Sequence, residues 1–255
     1  MKIAVCIKQV PSIAGALQID AASHWIRESD CAFEASSADV NALEEALRIK
    51  DRSGAEVVAI SAGPDRVKET LKEALARGAD KAIHIQVPEA HALDPNALAM
   101  LLANALRDGA YDLVLAGLQS DDHGYGQTGV ALAECLGWPH ASIVAEMNIA
   151  EAVRIRVRRE LEGGYYQWLE LPLPCVITIQ SGINKPRYAG MKGMLAAKKK
   201  PIECLSAILQ DMPSAQEAEN LYLPYKTKDT RMLEGSAEVQ AALLIDTLNL
   251  RAHLK

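Results

Sequence analysis

Aromatic residues are scarce in this 255-residue chain: they make up 4%, and Phe33 is the single phenylalanine. A protein that stacks single-stranded bases needs more such platforms. Excess positive charge is lacking too. The net charge is -6 and the pI about 5.6, so a phosphate backbone is a poor partner and no nucleic acid is expected. The five cysteines, Cys6, Cys31, Cys135, Cys175 and Cys204, are scattered without CxxC or Cys/His ligand spacing. Neither a structural metal nor a disulfide framework is indicated, and a reducing, cytoplasmic setting fits. No apolar run approaches the ~18 residues of a membrane span, and Met1-Lys2 leads straight into a strand-like run rather than a signal peptide. Membrane insertion is therefore not expected. No nucleophile–His–carboxylate constellation stands out, so no catalytic residue is named.

Hydrophobic residues reach 49%, enough for a sizeable core. Residues 3–7 form a continuous apolar run that reads as a central strand of a mostly parallel sheet. Ser37 or Asp39 is expected to cap a helix running to about Arg52. Strands over 56–61, 81–85 and 112–116 alternate with helices over 67–76 and 95–106. Asp94 caps the last of these, with Pro95 at its first position. Four βα units in succession predict a doubly wound parallel sheet. Ligands then sit at the carboxyl ends of the strands, where the loops after Cys6, Ser61 and Gly117 are neighbours.

The chain is organised around residues 113–138. An apolar run ending at Ala116 leads into a polar, glycine-punctuated loop, 119–126. A helix starts near Gln127 or Thr128, with Val130, Leu132, Ala133 and Leu136 at helical spacing. Strand, glycine-rich loop and helix N-terminus together can bind phosphate through free N–H groups and the helix dipole. The loop is neither GxGxxG nor a Walker sequence. A plain strand-to-helix turn, capped by Thr128 or Asp122, is an equal reading.

After Trp138-Pro139 the helices stop. Runs at 142–147, 153–159, 165–171 and 176–180 predict an antiparallel extension, with Glu162-Gly163-Gly164 as a hairpin. Residues 12–36 form a long excursion. Met191, Met194, Leu195 and Lys198 share a helical face before a lysine run. A short packed helix and a partner-receiving surface are both open there. Residues 201–235 look like an extended arm, ending in an amphipathic helix over 238–250. The expected division is 1–200 for the α/β nucleotide-binding domain, with 201–255 as an arm and helix.

Several ordered segments resemble the electron transfer flavoprotein β subunit. They are Lys-Ile-Ala-Val-Cys-Ile-Lys-Gln-Val at 2–10, Leu-Glu-Glu-Ala-Leu-Arg-Ile-Lys at 43–50, Ala-Arg-Gly-Ala-Asp-Lys-Ala at 76–82, Ala-Gly-Leu-Gln-Ser-Asp-Asp at 116–122, Gln-Thr-Gly at 127–129, Leu-Gly-Trp-Pro at 136–139, Arg-Glu-Leu-Glu-Gly-Gly at 159–164, Ile-Asn-Lys-Pro-Arg-Tyr-Ala at 183–189 and Lys-Lys-Lys-Pro-Ile at 198–202. Leu-Gly-Trp-Pro-His and Gly-Ile-Asn-Lys-Pro-Arg-Tyr look closer to bacterial forms serving methylated-amine dehydrogenases than to mitochondrial fatty-acid forms. The resemblance implies an adenine-nucleotide α-hydrolase-like fold and an αβ heterodimer. The α subunit would hold most of an FAD, shuttling electrons from flavoprotein dehydrogenases toward an ETF–quinone oxidoreductase. The β subunit would bind AMP structurally.

By position, the resemblance sets the AMP among Cys6, Ser36, Ser37, Ala38, Asp39, Ala62, Gly117, Gln119, Asp122, His123, Tyr125, Gly126, Gln127 and Thr128. Gly126, Gln127 and Thr128 would meet the phosphate. Asp122 would brace the loop. His123 would be an exposed loop residue, or a phosphate partner if protonated. Ser36 departs from the family's usual Asn. The matching recognition loop, 184–200, would carry Arg187, Tyr188, Met191, Met194 and Leu195, with Met191 as the anchor. Glu160 matches a residue that contacts the flavin-bearing part of α; a surface carboxylate is the other reading. Electron-bifurcating members hold a second FAD in place of AMP, but Tyr125 favours AMP. An adenine-nucleotide-binding stress regulator is the alternative from another class, with no place for the extension and arm.

Overall fold

The computed structural model describes residues 1–12, 17–20, 25–89, 93–151, 153–207, 215–216, 218–223, 230 and 232–252. It divides into two compact units, Met1–Asn220 and Leu221–Lys255.

The first unit opens with β1 (Lys2–Cys6), β2 (Gln9–Pro11), β3 (Ile19–Asp20), β4 (Trp25–Ile26) and β5 (Phe33–Ala35). Then come α1 (Ser37–Ser53), β6 (Glu56–Gly63), α2 (Val67–Arg77), β7 (Lys81–Gln86), α3 (Pro95–Leu106), β8 (Leu113–Gly117) and α4 (Thr128–Leu136). Next are β9 (His140–Glu151), β10 (Arg154–Glu160), β11 (Tyr166–Pro172), β12 (Cys175–Ile179), α5 (Met191–Ala197) and β13 (Ile202–Ser206). The second unit carries α6 (Ala237–Ala252).

One sheet runs in the order β11-β10-β9-β12-β8-β1-β6-β7-β13. Its centre is parallel: β1 pairs with β6 on one side and β8 on the other. The chain winds outward from β1 through β6 and β7, then crosses back to β8. The strand order therefore reverses between β1 and β8, where the loops leaving both strands diverge and leave a crevice.

Side chains of β1 alternate between two cores. Ile3, Val5 and Ile7 pack with Leu43 and Leu47 of α1 and Leu71 of α2. Ala4 and Cys6 pack on the other face, with Leu102 and Leu106 of α3 and Leu132 of α4. Both faces are covered, which is why the central strands read as unbroken apolar runs.

Two expectations are corrected. β12 is not part of the antiparallel extension: it inserts between β8 and β9, parallel to both. Its run Cys-Val-Ile-Thr-Ile is buried throughout, as a strand covered on both faces requires. The arm expected from residue 201 begins as a strand, because β13 pairs in parallel with β7 and becomes the edge of the sheet. β13 is only partly covered, so it carries little apolar periodicity for a sequence reading to catch. Residues 208–214 and 224–229 of the expected arm lie outside the described residues. The antiparallel part is β9, β10 and β11. Gly163 and Gly164, at φ +70° and +78°, turn the chain between β10 and β11. No helix among the described residues is long and apolar enough to cross a membrane.

Candidate functional site

A cleft opens at the crevice between β1 and β8. It is lined by Cys6 at the end of β1 and Lys8 beyond it, Ser61 and Ala62 near the end of β6, and Gly117 to Ser120 from the last residue of β8 onward. Pro95 and Leu98 of α3 and the start of α4 complete it. Counting its open mouth and the solvent in it, the cleft spans about 810 Å³.

The N-termini of α1 and α4 both lie at this end of the sheet, and they differ. The first N–H of α1 already has an anionic partner. Asp121 accepts from Ser37 N–H at 2.7 Å and from Ser37 Oγ at 2.8 Å. The expected cap, Ser37 or Asp39, is therefore replaced by a carboxylate from the β8–α4 loop. Asp39 has a different task. Its carboxylate accepts from Lys8 N–H at 2.8 Å and Gly117 N–H at 2.7 Å, tying α1 to the ends of β1 and β8. Burial pushes the Asp39 carboxyl up to about 7, against the two N–H bonds and the Lys8 charge that favour its ionised form.

The start of α4 has no such anion. Its N-cap, Gln127, makes no side-chain capping bond. Gly126 precedes it at φ +65°, with nothing but Leu118 O, 3.8 Å away, near the place of a Cβ. Gly129 lets α4 come close to the sheet: a Cβ there would lie 2.3 Å from Thr178 Cγ2. The helix N-terminus therefore faces the cleft, where its dipole favours an anion. Deeper in, Ser61 Oγ is buried without a hydrogen-bond partner. A polar ligand reaching it would relieve the cost of that orphan group.

Lys8 closes one wall. Its Nζ donates to Asp122 Oδ1 at 2.7 Å and Ser120 Oγ at 3.4 Å, and lies 2.9 Å from His123 Nδ1. Burial acts to raise the Asp122 carboxyl, but the Lys8 charge and bonds from Lys8, Ser120 and His123 N–H hold it below its usual value. His123 is not the exposed loop residue expected from sequence. Its ring stacks between Trp25 and Tyr125, with centroids 5.2 and 5.3 Å away. Burial, aided by the Asp39 charge, pushes the Cys6 thiol far up, so it presents no thiolate.

Ten of the expected nucleotide residues line the cleft: Cys6, Asp39, Ala62, Gly117, Gln119, His123, Tyr125, Gly126, Gln127 and Thr128. Ser36, Ser37, Ala38 and Asp122 stand behind this lining. Ser36 Oγ is buried without a partner, and Asp122 lines an adjoining recess with Trp25 and Phe33. Lys8 and Ser61 were missed by sequence reasoning. Both follow directly on apolar strands, at the strand ends where a ligand was expected, and that position was the available signal. Gln127 is also engaged from outside, because Gln216 Nε2 donates to its Oε1 at 2.8 Å.

The segment 182–197 lies apart from the cleft. Tyr188 is 88% exposed and Met191 76%, with Met194 and Leu195 exposed beside them. Arg187 does not join this surface: its guanidinium turns inward to Glu44 and Asp51. Glu160 ends β10, opposite Tyr166 on the antiparallel side of the sheet.

The pattern of the electron transfer flavoprotein domain matches residues 25–209. Over 260 residues the chain is 38% identical to the electron transfer flavoprotein subunit beta of Methylophilus methylotrophus, covering 98% of each chain. It is 32% identical to the mitochondrial subunit beta of Arabidopsis thaliana over the full length of both. With the subunit beta of Sus scrofa it shares 41% identity over 169 residues, about two thirds of each. This chain belongs to the electron transfer flavoprotein family, on the side of its β subunits.

Proposed function

We propose that this chain is the β subunit of a heterodimeric electron carrier, and that its cleft holds AMP. The observation that carries the nucleotide reading is the uncapped start of α4 behind Gly126, facing a cleft that contains the orphan Ser61 Oγ. The N–H groups of Gly126, Gln127 and Thr128 would receive the phosphate. When bound, AMP supplies a charged phosphate and a purine; its role is structural. Ser61 would donate to or accept from its polar edge. Asp39 ties the strand ends together, and Lys8 with Asp122 fixes the loop. Tyr125 and the His123 stacked on it line the cleft, and the bulk of Tyr125 in this loop favours a mononucleotide over a second FAD.

The electron chemistry belongs to an FAD held mainly by an α subunit. In this reading Met191, Met194 and Leu195 enter an apolar recess on a flavoprotein dehydrogenase, the electron donor. An ETF–quinone oxidoreductase is the acceptor. Glu160 biases the flavin-bearing part of the α subunit. The region beyond β13 docks on that subunit, supported by exposed Leu243, Leu244, Ile245 and Leu248 on α6. Co-expression with an α subunit tests the assembly: a stable complex whose flavin is reduced by a methylated-amine dehydrogenase is expected. A chain that stays alone and binds adenine nucleotides would point to a stress-type regulator instead.

A further inference from the structure

Three polar residues on α1, Asn41, Glu44 and Glu45, are buried, and the cleft uses none of them. Buried carboxylates persist only when paired. Much of that pairing comes from one segment, the stretch between β12 and α5. Arg187 makes a two-pronged contact with Glu44, at 2.9 Å from Nε and 3.1 Å from Nη2. Its own backbone N–H adds a third bond to Glu44 at 3.0 Å. Asn184 Nδ2 donates to Asn41 O and to Glu45 Oε1, both at 2.9 Å, while Asn41 Nδ2 returns a bond to Asn184 Oδ1 at 2.9 Å. From α2, Arg77 Nη1 donates to Arg187 O at 2.9 Å. Farther on, Gly193 lies so close to the end of α2 that a Cβ would come within 2.1 Å of Ala76 O.

The segment is thus pinned at 184, at 187 and at 193. Tyr188 and Met191 lie between the last two pins. A planar guanidinium fork fixes direction as well as distance, and a lysine could not do the same. An apolar group held ready in its bound position loses less freedom on association.

We propose that Arg187 and Asn184 are positioning residues which, through Glu44 and Asn41, hold the 188–195 segment rigid and present Met191 to the redox partner preorganised. The inference rests on the reading that Met191 docks a flavoprotein dehydrogenase. Arg187 itself touches no partner.

The test uses the αβ heterodimer with a methylated-amine dehydrogenase as donor, and the variants Arg187→Met, Met191→Ala and both together. Arg187→Met is expected to speed amide exchange in 188–195 at least tenfold. It should raise KM for the carrier roughly tenfold, leave kcat and bound nucleotide unchanged, and add nothing further in the Met191→Ala background. Arg187→Lys should recover only part of the loss. Unchanged exchange in Arg187→Met overturns the inference. So does an additive rise in the double variant, which would mean that Arg187 contacts the partner directly. An unchanged KM in Met191→Ala overturns the docking reading itself.

Discussion

Asp39 Oδ1 accepts the Gly117 N–H at 2.7 Å, so a carboxylate in the first turn of α1 is bonded to the last residue of β8. Its other oxygen holds Lys8 N–H. Asp39 thus bridges the two strands between which the cleft opens. Burial raises its carboxyl to about 7, above the ordinary unfolded value of about 4. With a raised folded-state value, the native protein keeps a proton that the unfolded chain gives up. This group's contribution to stability is therefore greatest below about pH 4, and it declines as pH rises toward 7, by at most about 4 kcal/mol. Asp39→Asn is expected to remove that decline. It also leaves one of the two N–H groups unpaired, at a cost of about 1–3 kcal/mol. Thermal melts of both proteins between pH 5 and 8 check this; parallel pH profiles would refute it.

Lys8→Met removes the cation that holds Asp122, Ser120 and His123 in place. About a third of Lys8 is exposed, so solvent screening reduces the loss to about 1–2 kcal/mol. AMP affinity, measured by calorimetry, should fall roughly tenfold. Asp122→Asn introduced beside it should restore part of the affinity, because it removes the carboxylate left unpaired.

Gly129→Ala drives a Cβ against Thr178 Cγ2, which would be 2.3 Å away. The start of α4 must move off β12, at a cost of about 1–3 kcal/mol. Thr178→Ser removes that methyl group and keeps the hydroxyl that accepts from Ile143 N–H. The double variant should recover most of the melting temperature lost by Gly129→Ala. No recovery would mean that the glycine serves some other purpose.

Met191→Ala trims an exposed side chain, so folding should be unchanged. If it docks as proposed, burial of the side chain contributes about 1.5–3 kcal/mol to the encounter. The carrier's KM for its dehydrogenase should rise at least tenfold, with bound AMP unaltered. Steady-state kinetics on the heterodimer decide this.

The fold was largely legible because its central strands are covered on both faces. The apolar runs at 3–7 and 113–116 need no tertiary information to read. β12 carried the same signal in Val176, Ile177 and Ile179, but its neighbours in sequence are antiparallel and drew the reading with them. β13 could not be read, since a half-exposed edge strand is defined by its partner β7 more than by its own residues. At the site, glycines and strand ends were legible, and ten expected residues do line the cleft. Roles were harder to read. Asp39 looked like a cap and proved to be a bridge, because its two partners are 31 and 78 residues distant in the chain. Arg187 looked like a contact residue, because its partner Glu44 is 143 residues away and no local pattern announces it.

The most direct measurement is the nucleotide content of the purified heterodimer. The complex is denatured, and the released adenine nucleotides and flavin are counted per αβ pair. One AMP and one FAD are expected, with AMP content, but not FAD, reduced in a Lys8→Met variant. Two FAD and no AMP would contradict the account, placing a second flavin in the cleft between β1 and β8.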